Sequence, residues 1–211
     1  METLRKEDMA IERVIAEFLD KNLYTQDCFT KHIRTDSLEY QLNGIDMILS
    51  IPTLDIYDAA VDEKASTQYM KNPLPTFALE LSFINQANII SSGWFLDSSK
   101  QTEYYLFQWI KARDGFNRNN FKESDIENLE YMLVSRKSLI NYFEEQGFDE
   151  HKILAKNNEI RFNKVSGPID KDVNPDFWFY YTTYLSEMPI NIVLRKNVFK
   201  RLSILRGTII P

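Results

Sequence analysis

The chain opens with apolar residues at the spacing of an amphipathic helix. Within residues 10–19, AIERVIAEFL, five apolar side chains fall on one stripe: Ile11, Val14, Ile15, Phe18 and Leu19. The charged residues Glu12 and Glu17 lie largely outside that stripe. The spacing predicts a helix that packs one face against a core.

Extended patterns follow this helix. Residues 38–51 alternate apolar and polar side chains and then become more uniformly apolar before Pro52, which predicts a strand entering a covered sheet. Asp46 interrupts the apolar part of that strand. Further strands are predicted over residues 56–65, 76–84 and 102–110.

Helical signals replace the strands after residue 120. Ser124 and Glu127 form a capping box ahead of four apolar residues at helical spacing, Ile126, Leu129, Met132 and Leu133. A second helix is predicted from Ser135 to Gly147, and residues 149–157 predict a further short helical segment.

The last quarter of the chain reads as a loop, an aromatic run and a strand. Residues 166–175 carry the Gly, Pro, Asp and Asn punctuation of a loop, residues 176–184 are rich in aromatics, and residues 190–194 predict a strand. We therefore expect an α/β fold with a mixed central β-sheet flanked by helices. The main domain should cover residues 1–165, and residues 166–211 should form a C-terminal α+β extension packed on it.

Composition supports one main domain. The 211 residues are 44% apolar, which is enough for one substantial core. Residues 1–14 mix charged with apolar positions, so we expect no signal peptide, no membrane span and a cytoplasmic protein. Cys28 is a single cysteine, and His32 and His151 have no partner at metal spacing, so disulfide and zinc frameworks are not expected.

Charge is distributed unevenly along the chain. The net charge of −6 argues against a protein that coats nucleic acid nonspecifically, since that mode depends on many contacts from Lys and Arg to phosphate. Residues 195–206 nevertheless contain five basic and no acidic residues. This segment is either a solvated surface or a phosphate-facing one, with Lys196, Lys200 and Arg201 as candidate nucleic-acid contacts.

A cluster of charges at the end of a predicted strand is the strongest chemical signal. Alternation in residues 56–65 places Asp62 and Lys64 on one face and Glu63 on the other, the Val61 side. Asp46 lies in the preceding predicted strand, where an uncompensated carboxylate beside apolar residues would be costly. If the two strands are neighbours, Asp46 and Asp62 can hold one hard divalent cation, with Lys64 orienting a water beside it.

Asp46 followed by Asp62-Glu63-Lys64 resembles the active-site motif of the PD-(D/E)XK nuclease superfamily. The order of a helix, two strands that carry these residues, more sheet and a helix also looks like the restriction-endonuclease-like core, over roughly residues 5–145. The resemblance implies that Asp46 and Asp62 bind Mg2+ or Mn2+, that Glu63 contributes through its main chain, and that Lys64 is the catalytic amine. It also implies a further acid on the opening helix, for which Glu12 is the matching position and Glu17 a weaker one.

The sequence departs from that superfamily in three places. Gly44-Ile45 precedes Asp46, so the proline that names the motif is absent. Gln68 is a candidate outer-shell residue, but Asn72 stands where some relatives carry a tyrosine. Glu63 faces the wrong way for a ligand unless the strand ends there or a bulge turns it inward.

Two activities remain open at this stage. The first is a divalent-metal-dependent nuclease, an endonuclease-like hydrolase that cuts phosphodiester bonds, with DNA favoured over RNA as its nucleic-acid partner. The second is a catalytically inactive nuclease-fold interaction module, such as an accessory protein of a phage or mobile-element system. The sequence leaves a homo-oligomer open, and Glu80 is either a second candidate outer-shell residue or part of an exposed sheet face.

The aromatic run also has two interpretations. Its members are Phe177, Trp178, Phe179, Tyr180, Tyr181 and Tyr184. Packing in a core is the commoner use of such residues, since aromatics bury large areas. Stacking on unpaired bases is the alternative.

Overall fold

The computed structural model describes residues 2–211, with side chains from residue 7 onward. The chain divides into two compact units, and each unit consists of segments that are separated in the sequence by segments of the other. The first unit comprises Met1–Leu74, Thr102–Ser135 and Ser203–Pro211, and the second comprises Pro75–Gln101 and Arg136–Leu202. These boundaries differ from the predicted division at residue 165, because strands far apart in sequence pair within each unit.

The first unit holds two helices and a six-stranded mixed sheet. The helices are α1 (Glu2–Asn22) and α2 (Leu38–Leu42). The strands are β1 (Lys31–Arg34), β2 (Met47–Ile51), β3 (Ile56–Ser66), β6 (Tyr104–Ala112), β7 (Ile126–Ser135) and β11 (Leu205–Ile209), with β4 and β5 in the second unit. Their spatial order is β1-β2-β3-β6-β7-β11. β3 and β6 run parallel, and the other neighbours run antiparallel.

The core of the first unit lies between α1 and one face of the sheet. The predicted apolar stripe is confirmed, since Ile11, Ile15, Phe18 and Leu19 are all buried there. On the sheet side, the cluster includes residues of β2, β3, β6 and β7: Met47, Leu49, Ala59, Val61, Leu106, Ile110, Leu129 and Leu133. This packing fixes α1 along the strands that carry the candidate site.

β3 is bent near its start. Asp58 adopts a left-handed backbone (φ 51°), which Asp tolerates better than most residues. The β2–β3 register shifts between Leu49 and Ile51. Asp58 is held there by Lys31 (2.8 Å) and by Ser50, whose Oγ accepts from the Asp58 N–H at 2.9 Å. The predicted alternation therefore fails at the start of the strand, and it holds from Val61 to Ser66, where β3 pairs regularly with β6.

Two predicted elements are wrong. Residues 38–42 form helix α2 instead of a strand, because Ser37 caps the turn by accepting from the Tyr40 N–H at 3.3 Å. Residues 126–135 form strand β7 instead of a helix. In β7 the four consecutive residues Tyr131 to Val134 are all buried, so both faces are apolar there and the simple alternation that marks a strand is lost.

The second unit contains a five-stranded antiparallel sheet. Its strands are β4 (Thr76–Ile84), β5 (Ile90–Ser92), β8 (Gly167–Ile169), β9 (Phe177–Tyr181) and β10 (Ile190–Arg195), in the spatial order β5-β4-β10-β9-β8. Its helices are α3 (Arg136–Glu145), α4 (Glu150–Asn163) and α5 (Lys196–Leu202). Phe143 of α3 packs edge-on against Phe177 of β9 with ring centroids 5.2 Å apart, so a helix covers one face of this sheet.

The α/β class is confirmed, as a mixed six-stranded sheet and a second antiparallel sheet with helices. The predicted strands over 56–65, 76–84, 102–110 and 190–194 are confirmed, and so is the helix that stops before Gly147. No helix in the described part of the chain combines the length and the apolar character that a bilayer crossing requires.

Candidate functional site

Pairing of β2 with β3 places Asp46 next to Asp62. Met47 is opposite Val61. Because the strands are antiparallel, Asp46, which precedes Met47, is opposite Asp62, which follows Val61. Asp46 stands just before β2, and its N–H donates to Val61 O at 2.9 Å. Asp46 Oδ2 accepts from the Glu63 N–H at 2.7 Å. The structure therefore brings the two predicted metal ligands together and fixes Asp46 by main-chain contacts to β3.

Asp62 is the buried member of this acid pair. It is 4% exposed, and the Lys64 ammonium donates to Asp62 Oδ1 at 2.6 Å from the same face of β3. Loss of hydration raises the pKa of Asp62 to about 7; attraction to Lys64 opposes the shift, and the charge of Asp46 and a hydrogen bond with its carboxyl group add to it. A raised pKa favours the protonated form of Asp62, and a cation bound at the pair would displace that proton.

Lys64 supplies the positive charge at the acid pair. Burial acts to lower the pKa of Lys64, but attraction to Asp62, to Asp46 and to Glu12, together with the hydrogen bond to Asp62, raises it overall. The amine therefore stays protonated at neutral pH. In that state it is a hydrogen-bond donor and a charge, and it has no lone pair with which to take a proton from water.

Glu12 lies on α1, on the solvent side of the stripe that α1 buries. Partial burial raises the pKa of Glu12; the charge of Lys64 opposes this, and the charges of Asp8 and Asp46 add to it. Glu12 is therefore electrostatically coupled to the acid pair. Glu17 instead forms an exposed ion pair with Arg13 at 3.6 Å. Among the side chains from residue 7 onward, no group of three or more His, Cys, Asp and Glu is arranged to hold a metal ion.

Glu63 points to the opposite face of β3, as alternation predicts. Its Oε1 accepts from Tyr24 Oη at 2.6 Å and its Oε2 from Arg34 Nη1 at 2.7 Å. Neither a strand end nor a bulge turns it inward, because β3 continues to Ser66 in regular register with β6. The Glu63 carboxylate is thus committed elsewhere, and its main chain is what reaches Asp46.

Arg34 completes a buried ionic network behind Glu63. Its Nε donates to both oxygens of Asp20 (2.9 and 2.7 Å), and its Nη2 donates to Ala16 O at 3.0 Å. Desolvation raises the pKa of Glu63 although Arg34 and Tyr24 oppose the shift. No local sequence pattern indicates this network, because Asp20, Arg34 and Glu63 come from three separate elements.

A second cluster, centred on Asp8, lies where β3 ends. Asp8 Oδ1 accepts from Thr67 Oγ1 at 3.0 Å and from an Arg118 Nη2 in close contact, and its Oδ2 accepts from Gln68 Nε2 at 3.1 Å. Arg118 Nη1 also donates to Thr67 O at 2.6 Å. Gln68 therefore contacts Asp8 in place of the acid pair. Asp8 stands one helical turn before Glu12, which is the one sequence signal that could have found it.

The remaining predicted residues belong to the second unit. Glu80 is a partly exposed residue of β4 in the antiparallel sheet. Lys196, Lys200 and Arg201 lie on α5. Arg201 Nη2 pairs with Asp176 Oδ2 at 2.6 Å, so its charge is partly neutralised. These residues are not members of the acid cluster formed by Asp46, Asp62 and Lys64.

The acid pair suits a hard divalent cation. Mg2+ prefers oxygen ligands, retains several waters, and is commonly bound through one or two carboxylates together with substrate phosphates. Asp46 and Asp62 offer two such carboxylates, and burial together with the charge of Asp46 raises the pKa of Asp62, so a positive partner is favoured there. The donor chemistry therefore fits Mg2+ or Mn2+.

Ionisation of Asp62 should lower stability as pH rises. Its pKa is about 7 in the folded chain against 3.8 for an ordinary Asp, so its contribution is greatest below pH 4 and is lost as the pH rises through 7. The free energy of unfolding of Asp62→Asn, relative to the parent, should therefore rise between pH 5 and pH 8, by at most about 3 kcal/mol. Urea unfolding at four pH values measures this difference.

Asp58→Asn is the control for that experiment. Asp58 lies on the same strand, and its hydrogen bonds to Lys31 and Ser50 lower its pKa, so its effect should be constant above pH 5. Parallel stability curves for Asp62→Asn and the parent would contradict the buried, proton-sharing acid pair.

The Arg34–Glu63 pair should be strongly coupled. Both side chains are largely buried, with 30% and 11% exposure, so removing one leaves the other charge poorly compensated. A double-mutant cycle of Arg34→Gln and Glu63→Gln, measured by urea unfolding, should give a coupling free energy above about 1 kcal/mol. The exposed pair of Arg13 and Glu17 should give less than about 0.5 kcal/mol in a matched cycle. Equal coupling in both cycles would show that the network does not hold β3.

Comparison with known proteins adds no relative. Protein-family models, curated proteins and solved structures yielded no match to this chain.

Proposed function

We propose that the chain is a divalent-metal-dependent nuclease that hydrolyses phosphodiester bonds, with DNA as the favoured substrate. One observation carries the proposal: carboxyl groups from two neighbouring strands meet, and an ammonium lies 2.6 Å from one of them. Paired carboxylates with an adjacent amine are a chemical arrangement suited to a cation, a water and a phosphate.

The order of elements supports a restriction-endonuclease-like core. α1 precedes β2 and β3 in the first unit, with β1 and α2 between α1 and β2, and the β2–β3 pair brings Asp46 and Asp62-Glu63-Lys64 to one place. Glu12 on α1 is electrostatically coupled to them. These features are the ones by which the sequence resembles the PD-(D/E)XK superfamily, and the proposal extends that resemblance to the activity.

The roles of the residues follow from their charges. Asp46 and Asp62 would hold the cation, which when bound would lower the pKa of water and neutralise charge on the phosphate. Lys64 would donate to a phosphate oxygen or orient the attacking water, because its raised pKa keeps it protonated. Asp46 is held in place by the Glu63 N–H, so its carboxylate is oriented before any substrate arrives. Glu12 adds negative charge and favours retention of a cation.

One observation favours a second candidate, the inactive nuclease-fold interaction module. Lys64 already pairs with Asp62, so an ammonium can serve as a permanent counterion for the acid pair. A site of that kind would keep the nuclease-like architecture, and its carboxylates would need no metal ion to neutralise them. The response to Mn2+ distinguishes the two candidates.

Loss of the Lys64 ammonium should abolish most cleavage. Lys64→Ala should cut DNA about 10²–10³-fold more slowly than the parent, the usual cost of removing a charge-stabilising donor. The assay uses single-stranded, duplex and branched DNA with Mg2+ or Mn2+, and an RNA of the same sequence tests the other polymer. The matched control is Lys111→Ala, which removes a surface lysine that pairs with Glu127 at the same 2.6 Å. Equal cleavage by the parent, Lys64→Ala and Asp62→Asn would sink the assignment.

A metal should stabilise the parent and leave acid-pair variants unaffected. Mn2+ bound to the folded chain raises its melting temperature by mass action. The rise should be larger at pH 8 than at pH 6, since the cation competes with the proton held at Asp62. Asp46→Asn and Asp62→Asn should lose the shift, and Asp58→Asn should keep it. If Mn2+ leaves the melting temperature of the parent unchanged at both pH values, the nuclease proposal fails and the inactive module is supported.

A further inference from the structure

The outer face of strands β9 and β10 carries partly exposed aromatic residues. Along β9, Phe177, Phe179 and Tyr181 are buried, whereas Trp178 and Tyr180 alternate with them and remain partly exposed. The buried set packs against a helix, as the 5.2 Å distance between the ring centroids of Phe143 in α3 and Phe177 shows. The aromatic run is thus divided by alternation, with core packing on one face and two rings on the other.

The strands beside β9 extend this face. Trp178 is opposite Val193 of β10, which is in turn opposite Ala78 of β4. Tyr180 is opposite Asn191 on one side and Pro168 on the other. Ala78 and Pro168 are exposed, and Val193 and Asn191 are partly exposed. The small side chains beside the two rings leave them accessible from solvent.

Two cations border Trp178. Lys171 Nζ lies 5.4 Å from the centre of the Trp178 ring, and Arg195 Cζ lies 5.5 Å from it. Within the described residues neither cation pairs with a carboxylate, since Arg195 Nε donates to the main-chain Pro175 O and the nearby Asp170 and Asp176 pair with Lys156 and Arg201. The face therefore combines aromatic surface with two positive charges that lack an acidic partner.

We infer that this face binds single-stranded nucleic acid. Trp178 and Tyr180 stack on unpaired bases, and Lys171 and Arg195 contact the phosphates between them. Stacking on aromatic side chains beside a positively charged track is how proteins bind single strands without reading sequence. Bases of a duplex are already stacked on each other, so this surface selects the unpaired form. The inference concerns binding alone and does not rest on the proposed cleavage.

The charge of the second unit is compatible with this partner. It contains 12 basic and 11 acidic residues, whereas the first unit contains 13 basic and 20 acidic ones. A polyanion therefore meets less repulsion from the second unit as a whole. Local attraction comes from Lys171 and Arg195, which are the cations adjacent to the rings.

Anisotropy titration of fluorescein-labelled oligo(dT) with the full chain in EDTA tests the inference, because cleavage is blocked and the oligonucleotide carries the signal for every variant. Trp178→Ala should weaken binding at least about fivefold, the lower end of the loss for one stacked base. Lys171→Gln and Arg195→Gln should each reduce the salt dependence of log K by about 0.7, the change expected for one phosphate contact with a single strand. A hairpin duplex should bind more weakly than oligo(dT).

Phe162→Ala is the matched control, since Phe162 belongs to the same unit and is 85% exposed on α4. It should leave affinity unchanged. Because Trp178→Ala removes a partly buried ring, far-ultraviolet circular dichroism accompanies each titration, and the two Gln variants test the same surface with the Trp178 ring retained. Absence of binding by the parent at low salt, preference for the duplex, or equal affinity of the parent and both Gln variants would each overturn the inference.

Discussion

The burial of Asp62 beside Asp46 is the constraint on which the candidate site depends. Pairing of β2 with β3 makes the two carboxyl groups neighbours, and packing of the sheet removes most of the water that would otherwise separate their charges. A proton, the Lys64 ammonium or a divalent cation can each offset the repulsion. The chemistry of the site is a competition among these three positive partners for one pair of oxygens.

β3 carries charged side chains on both faces of its sheet, and its backbone links them. One face presents Asp62 and Lys64, while the other holds Glu63 in the network with Arg34 and Tyr24. The Glu63 N–H donates to Asp46, so a residue whose side chain faces away still orients a candidate ligand. The Glu63 network on one face anchors β3, so the carboxyl groups on the other face keep a fixed position whichever positive partner they have.

The two units differ in how their charged residues are distributed. The first concentrates acidic residues and buries part of that charge in ionic networks, which suits the retention of cations. The second is nearly neutral and leaves cations beside an aromatic face. The proposed nuclease activity would need both properties, since a cation and a phosphate are attracted by charges of opposite sign.

The sequence by itself determined the helix at residues 10–19, most of the strands, and the shared face of Asp62 and Lys64, because burial on one side imposes a local period on the side chains. The sequence pattern failed at residues 126–135, because burial on both faces over Tyr131 to Val134 removes that period. Partner choice was decided only by the tertiary structure: Arg34 meets Glu63, Arg118 meets Asp8, and Thr76 pairs with Arg195 across more than a hundred residues. Local patterns record whether a side chain is buried, and only the folded chain specifies which residue it is buried against.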